Sequence, residues 1–153
     1  MRTYFDHEKL DVYQLELQFI AWVTTLLADI KSRRTDARIA EVLSQVDRAS
    51  LSALLNTGEG NGRRQRRTRA KFFDDARGSA CECAACLDAL VAKNVCEREQ
   101  IDEGKQLLLR IASILTRLVE RFDSFSSSPS SIVREDANEQ AFDDEEEENE
   151  DEG

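Results

Sequence analysis

The residues with the clearest chemical potential lie in a stretch rich in glycine and arginine, residues 57–82. Three of the chain's six glycines lie within residues 58–62, and six cations follow within nine positions with no acid among them. These residues are Gly58, Gly60, Gly62, Arg63, Arg64, Arg66, Arg67, Arg69 and Lys71. A guanidinium can donate two parallel hydrogen bonds to a phosphate, and a helix N-terminus adds partial positive charge. The stretch is therefore a candidate site for binding a polyanion.

RNA and DNA are the polyanions that such a cluster predicts. Contacts to about 4–6 phosphates would make the binding steeply salt-dependent and largely independent of base sequence. The alternative is a solvated charged surface without a ligand, which is the usual role of a charge run. The absence of any acid between Arg63 and Lys71 favours a binding role.

Charged residues near the glycines have a structural alternative to catalysis. Glu59, Arg77 and Glu82 lie beside glycines or small residues, with no accompanying base, nucleophile or metal-ligand set. Arg77 and Glu82 are five residues apart and do not stack on one helix face. We expect each of them to contact a neighbouring helix or subunit. Gly78, inside the same helix, predicts close backbone packing.

Four cysteines raise the question of a metal site. Cys81, Cys83, Cys86 and Cys96 are close in sequence, whereas a secreted disulfide framework would spread them along the chain. On a helix, Cys81 and Cys83 point roughly 200° apart at 3.6 residues per turn, which is unsuited to a tetrahedral zinc site. Small buried core or interface residues are the better interpretation. We expect no metal and no cofactor.

No other constellation indicates an enzyme. His7 is the only histidine, and its place beside Glu8 is typical of a surface residue. The sequence contains no Ser/His/Asp set, no phosphate-binding loop and no dinucleotide fingerprint. A non-enzymatic protein is expected.

The formal charge is divided unevenly along the chain. Of 31 acids and 21 bases, residues 124–153 hold 12 acids and one base, Arg134, which leaves 19 acids and 20 bases in residues 1–123. We therefore predict a folded, nearly neutral unit over 1–123 and a disordered tail over 124–153, Ser-rich and then acidic. The tail has three interpretations: it promotes solubility, it competes for the Arg63–Lys71 segment, or it binds a separate basic protein.

The elements that position these residues are helices. Apolar spacings of three and four predict helices from Glu8 to Lys31, Asp36 to Asn56, Arg66 to Lys93 and Glu97 to Phe122. Either Thr35 or Asp36 can cap the second helix, and the glycines predict a break between Thr57 and Arg66. Long helices with short connectors specify an all-α, up-down-up-down four-helix bundle. No signal peptide or membrane span is apparent, so a cytoplasmic protein without membrane contact is expected.

Several short motifs occur in a characteristic order on this helical pattern. They are Phe5-x-x-Glu8-Lys9-Leu10-x-Val12-Tyr13-x-Leu15, Glu59-Gly60-x-Gly62-Arg63, then Phe72 or Phe73, and Ala76-Arg77-Gly78-Ser79-x-x-Glu82 before a Leu-rich last helix. Over residues 5–122 the chain resembles the four-helix-bundle family of proteins encoded in 23S rRNA intervening sequences. It is also similar to the accessory variability proteins of diversity-generating retroelements.

The resemblance implies a left-handed bundle, a homopentamer and non-enzymatic nucleic-acid binding. In the retroelement branch it also implies a complex with a reverse transcriptase. Glu59, Gly60, Gly62, Arg77, Gly78 and Glu82 then become marks of fold and assembly. The chain departs from the family in its Leu54-Leu55-Asn56-Thr57-Gly58 run and in its acidic tail.

The combined prediction is an oligomeric bundle that binds RNA or DNA, or a nucleoprotein, through Arg63, Arg64, Arg66, Arg67, Arg69 and Lys71. The alternative is a protein–protein adaptor in which the acidic tail docks a basic partner and the arginines serve assembly.

Overall fold

Four long helices make up the protein. The computed structural model describes residues 2–34 and 36–124. Helix α1 is Asp11–Arg33, α2 is Ala37–Gly62, α3 is Arg66–Ala92 and α4 is Arg98–Asp123, with a short 3-10 turn, Asp6–Lys9, before α1. No strand occurs in the described ranges. The predicted all-α class is confirmed, and the tail from residue 125 onward lies outside the described residues.

The helices form an up-down-up-down bundle. Each helix packs against its two neighbours, α1 with α2 and α4, and α3 with α2 and α4. Across the part of the chain that is described, no Cα atoms of the diagonal pairs α1/α3 or α2/α4 lie within 8 Å of each other. The short connectors, residues 34–36, 63–65 and 93–97, allow only antiparallel neighbours.

The core follows the predicted helical periodicity. Val12, Phe19, Val23 and Ile30 of α1 are each at most 2% exposed, as expected for a stripe with spacings of three and four. The contact of α3 with α2 is the largest in the bundle. Both helices carry small buried residues, Ala49 and Ala53 on α2 and Ala76 and Ala80 on α3, and the Ser52 and Ser79 hydroxyls of the two helices lie 2.9 Å apart. Small side chains let helix backbones approach closely, so α3 is held firmly in position.

The first helix begins later than predicted. Glu8 closes the start of the 3-10 turn, since its carboxylate accepts a hydrogen bond from the Phe5 N–H at 3.1 Å. Leu10 is extended, and α1 begins at Asp11. Asp36, one of the two candidate caps, accepts a hydrogen bond from the Arg38 N–H at 3.0 Å and so caps α2.

The predicted break between Thr57 and Arg66 is present, at residues 63–65, but the predicted end of α2 near Asn56 is too early. Gly58, Gly60 and Gly62 all lie within α2, and only residues 63–65 separate α2 from α3. A Cβ atom on Gly60 would lie 3.1 Å from Phe72 and 3.2 Å from Phe73, so this glycine lets α3 approach α2. Helix propensity predicted that α2 ends before the glycines, because each glycine costs about 1 kcal/mol relative to alanine, and tertiary packing overrides that cost.

The close packing predicted at Gly78 is also wrong. A Cβ atom there would meet nothing within 4 Å in the described structure. Besides Gly60, a glycine that does accommodate a close neighbour is Gly104 of α4, where a Cβ atom would overlap the Trp22 ring. The indole of α1 therefore rests directly on the α4 backbone.

Candidate nucleic-acid interface

The predicted cations lie at one end of the bundle. Here α2 ends at Gly62, α3 begins at Arg66 and α4 ends at Asp123, and we call this region the basic end. Arg63 and Gln65 are extended, and the Gln65 side chain forms no capping hydrogen bond to α3. The first turn of α3 therefore adds its partial positive charge to that of the arginines.

Arg63 and Lys71 share one aromatic ring. The Arg63 guanidinium carbon lies 5.1 Å from the centroid of Phe72, and the Lys71 ammonium lies 5.2 Å from it. Arg63 also pairs with Glu59, and Lys71 pairs with Asp75 at 3.3 Å. Both pairs join residues four apart on one helix or its cap, and all four side chains are well exposed. Such pairs are weak and open readily to a competing anion.

Arg66 and Arg69 hold the helices together. Their guanidinium carbons lie 4.9 and 4.5 Å from the centroid of Phe122, near the end of α4. Arg66 donates to the Arg121 carbonyl at 2.8 Å, and Arg69 donates to Asn61 at 3.5 Å. Arg69 is half-buried. These two predicted binding residues therefore tie α3 to α4 and α2 as well as adding charge.

Arg67 and Lys71 line a groove on the other side of α3. We call it the α3/α4 groove, and its walls are formed by eight residues from the two helices. These are Arg67, Thr68, Ala70, Lys71, Asp74, Arg77, Val119 and Asp123. Arg77 pairs with Asp74 and donates to the Thr116 hydroxyl of α4 at 3.5 Å. The structure thus brings Arg77, which we had assigned to assembly, beside two predicted phosphate ligands.

Two further cations at this end were missed from the sequence. Arg117 and Arg121 are exposed in the last two turns of α4. In the sequence each of them stands alone among apolar and acidic residues, so no cluster of cations marked them as candidate binding residues. Only the antiparallel packing of α4 on α3 brings them to the basic end.

The other motif residues are dispersed. Glu82 is exposed on α3. When the Gln45 amide is oriented to suit its neighbours, it donates to Glu82 at 3.2 Å and accepts from Arg48 at 3.1 Å. Gly58 and Gly62 line a shallow groove between α1 and α2 together with Tyr13 and Leu55. A Cβ atom at either glycine would meet nothing within 4 Å.

The four cysteines lie in different environments. Cys81 is exposed, whereas Cys83 and Cys96 are buried and Cys86 is half-buried. Burial raises the pKa of the Cys83 thiol to about 12, and its Sγ lies 3.9 Å from the Val46 carbonyl oxygen. Within the residues described, no three side chains of His, Cys, Asp or Glu are grouped to hold a metal ion.

One buried acid was also missed. Glu16 of α1 is 2% exposed, and its Oε1 accepts a hydrogen bond from the Thr57 hydroxyl of α2 at 2.6 Å. Burial raises the pKa of this carboxyl to about 8, although the Thr57 bond acts in the opposite direction. Its position four residues after Val12 and three before Phe19 placed it on the core face. Its negative charge, however, predicted a position at the surface.

A sequence profile of the 23S rRNA-intervening sequence protein family matches residues 8–117, most of the four-helix unit. The chain belongs to this family. No curated protein and no solved structure matches the chain. In the part of the chain that the structure describes, no helix has an apolar stretch long enough to cross a bilayer.

Proposed function

From its membership of the 23S rRNA-intervening sequence protein family, we propose that this chain is a non-enzymatic protein that binds RNA or DNA through its basic end. The observation that carries the proposal is the convergence of cations from two helices. Five exposed cations lie there: Arg64 in the α2/α3 connector, Arg67 and Lys71 at the start of α3, and Arg117 and Arg121 near the end of α4. Arg66 and Arg69 fix the two helix ends relative to each other.

The free energies of the contacts favour replacement of the local ion pairs at the basic end by contacts to phosphates. Exposed ion pairs such as Lys71–Asp75 contribute about 1 kcal/mol or less. A phosphate chain offers a charge at every nucleotide, and each neutralised phosphate releases condensed counterions. The gain from several such contacts exceeds the loss of the local pairs. Because phosphate contacts carry no information about base sequence, binding without sequence preference is expected.

A second feature supports self-association. Leu17, Leu51 and Leu55 are 36%, 51% and 61% exposed, and all three lie on the side of the molecule formed by α1 and α2. Gly58 and Gly62 of α2 lie on this side, and no neighbour in the described structure requires a glycine at either position. We call this surface the α1/α2 face and propose that it is buried in a homo-oligomer. The resemblance favours a pentamer.

Self-association would multiply the effect of the basic end. Several copies on one nucleic acid bind with an effective concentration set by their spacing, so modest single-site affinity becomes high overall affinity. A reverse transcriptase as partner remains a narrower prediction, tested by co-purification from cells that contain both proteins.

Catalysis has no support in this geometry. Glu16 is a strongly perturbed acid, and perturbed groups often mark active sites. Its carboxyl is enclosed in the core and 2% exposed, so no substrate reaches it. The raised pKa follows from its burial.

The test is fluorescence anisotropy with a labelled 20-nucleotide RNA and the matching DNA. Replacing Arg64, Arg67 and Lys71 by Gln should weaken binding roughly tenfold or more at moderate salt. The control replaces Lys31, Lys93 and Arg98 by Gln, three exposed cations at the opposite end. Equal binding by both variants would contradict the proposal and would favour an adaptor whose arginines serve assembly.

A further inference from the structure

We propose that the acidic segment of this chain, residues 135–153, lies in the α3/α4 groove and competes there with nucleic acid. The groove is lined by Arg67, Lys71 and Arg77, and it also carries the Thr68 hydroxyl. Ammonium, guanidinium and hydroxyl groups bind carboxylates as readily as phosphates. The same groups therefore fit either ligand.

The chain leaves α4 at this groove. Asp123 is the last residue of α4 and lines the groove itself, and Ser124 after it is exposed. The 29 residues beyond, 125–153, therefore start beside the cations and need no path around the bundle. No other segment outside the described residues is long enough to cover the groove.

Charge complementarity selects the acidic part of that segment. Between Asp143 and Glu152, Asn149 alone is not acidic. The folded unit is close to neutral, so the strongest attraction available to these acids within the chain is a cluster of cations. In the groove, Arg77 is paired with Asp74 and Lys71 with Asp75, and Asp123 adds a further acid. The acidic segment must therefore displace these two ion pairs, which are exposed and weak.

The stretch of chain between α4 and the acidic run also has a suitable length to reach the groove. For the flexible chain that its composition predicts, the 19 residues from 124 to 142 span about 24 Å. The groove from Arg67 to Arg77 extends about 15 Å along α3 at 1.5 Å per residue. Tethering at this distance gives a local concentration on the order of millimolar. Weak exposed ion pairs are sufficient for occupancy at that concentration.

The tethered acidic segment therefore sets a threshold for the binding of other anions in the groove. A short anion does not displace the tethered segment, whereas a nucleic acid that contacts several cations at once does. This regulation rests on the proposed function, but occupancy of the groove by residues 135–153 does not.

Zero-length carbodiimide coupling of the full chain tests the occupancy. The reagent joins a carboxyl to an amine in direct contact, and Lys71 is the lysine that lines the groove. Trypsin releases residues 135–153 as one peptide, because no Lys or Arg follows Arg134. We expect this peptide to be coupled to residues 70–77, which contain Lys71, and the yield to fall at 0.5 M salt. Lys31, Lys93 and Lys105 are internal controls.

Coupling that is spread evenly over all lysines, or that omits Lys71, would overturn the proposal. Mixing isotopically labelled and unlabelled protein separates contacts within a chain from contacts between chains. Coupling found only between chains would overturn the placement within one chain.

A full-length variant with Asp and Glu of 143–152 changed to Asn and Gln tests the competition. Its RNA dissociation constant should be roughly three- to tenfold lower than that of the unchanged chain, with the difference shrinking as salt rises. Equal dissociation constants would refute competition. If neither protein binds RNA or DNA but Lys71 coupling persists, the proposed function fails and the occupancy stands.

Discussion

The hydroxyl of Thr57 donates a hydrogen bond to the carboxyl of Glu16, 2.6 Å from its Oε1, and both side chains are sealed inside the bundle. The second oxygen, Oε2, is buried without a hydrogen-bond partner in the described structure. Desolvation of this carboxyl raises its pKa to about 8. Helices α1 and α2 are thus joined by a polar contact, and it is the burial of the carboxyl, against the effect of the Thr57 bond, that favours the protonated acid.

The Glu16 pKa predicts a pH dependence of stability. The folded state binds the proton more tightly than the unfolded state, in which the pKa of the carboxyl is close to its ordinary value of 4.5. The contribution is therefore fully present below about 4.5 and is lost as pH rises toward about 8, at up to about 1.4 kcal/mol per pH unit. Urea unfolding at pH 5, 7 and 8.5 measures it.

The variant Glu16→Gln should remove this dependence. Its free energy of unfolding should exceed that of the unchanged chain at pH 8.5 and vary less with pH. Glu41→Gln, at an exposed position of α2, is the control and should leave the slope intact. An unchanged slope in Glu16→Gln would show that the buried carboxyl is not the titrating group.

Two glycine substitutions should have opposite effects on stability. Gly104→Ala forces a Cβ atom into the Trp22 ring, and we expect a loss of about 2–3 kcal/mol from overpacking. Gly78→Ala places a methyl in open space on an exposed helix face and should stabilise by about 0.5–1 kcal/mol. Chemical denaturation of both variants measures the difference. A destabilised Gly78→Ala whose oligomer dissociates would instead place Gly78 at a contact between copies.

A matched pair of leucine variants tests the proposed assembly surface. Leu55 on the α1/α2 face and Leu109 on α4 are 61% and 69% exposed, so arginine is tolerated by the fold at both. Leu55→Arg should reduce the mass measured by light scattering to that of a smaller species, because burying an unpaired charge is costly. Leu109→Arg should leave the mass unchanged. Assembly lost in Leu109→Arg alone would move the interface to α4.

The salt dependence of nucleic-acid binding should report the number of phosphates contacted. With about 4–6 contacts, the plot of log K against log salt should have a slope between about −3 and −5. Replacing Arg64, Arg67 and Lys71 by Gln should reduce that slope by about 2–3. A shallow slope in the unchanged chain would indicate that binding does not depend on the basic end.

The sequence by itself determined the four helices and their order. Strong apolar periodicity and the absence of proline from residues 1–123 leave few competing structures. The periodicity also placed Arg63–Lys71 at the junction of α2 and α3, since those residues fall between two apolar stripes. These features are local, and helix formation depends mainly on residues within a few positions of each other.

Tertiary structure alone decided the features that depend on residues far apart in sequence. The glycine run stays helical because Gly60 packs beneath Phe72 and Phe73, and Gly104 is required by Trp22. The groove brings Arg67 and Lys71 beside Arg77, closed by Val119 and Asp123 of α4. Glu16 is buried against Thr57, although an acidic residue is expected at the surface. Each of these outcomes depends on packing between helices, and packing can outweigh a local preference of about 1 kcal/mol.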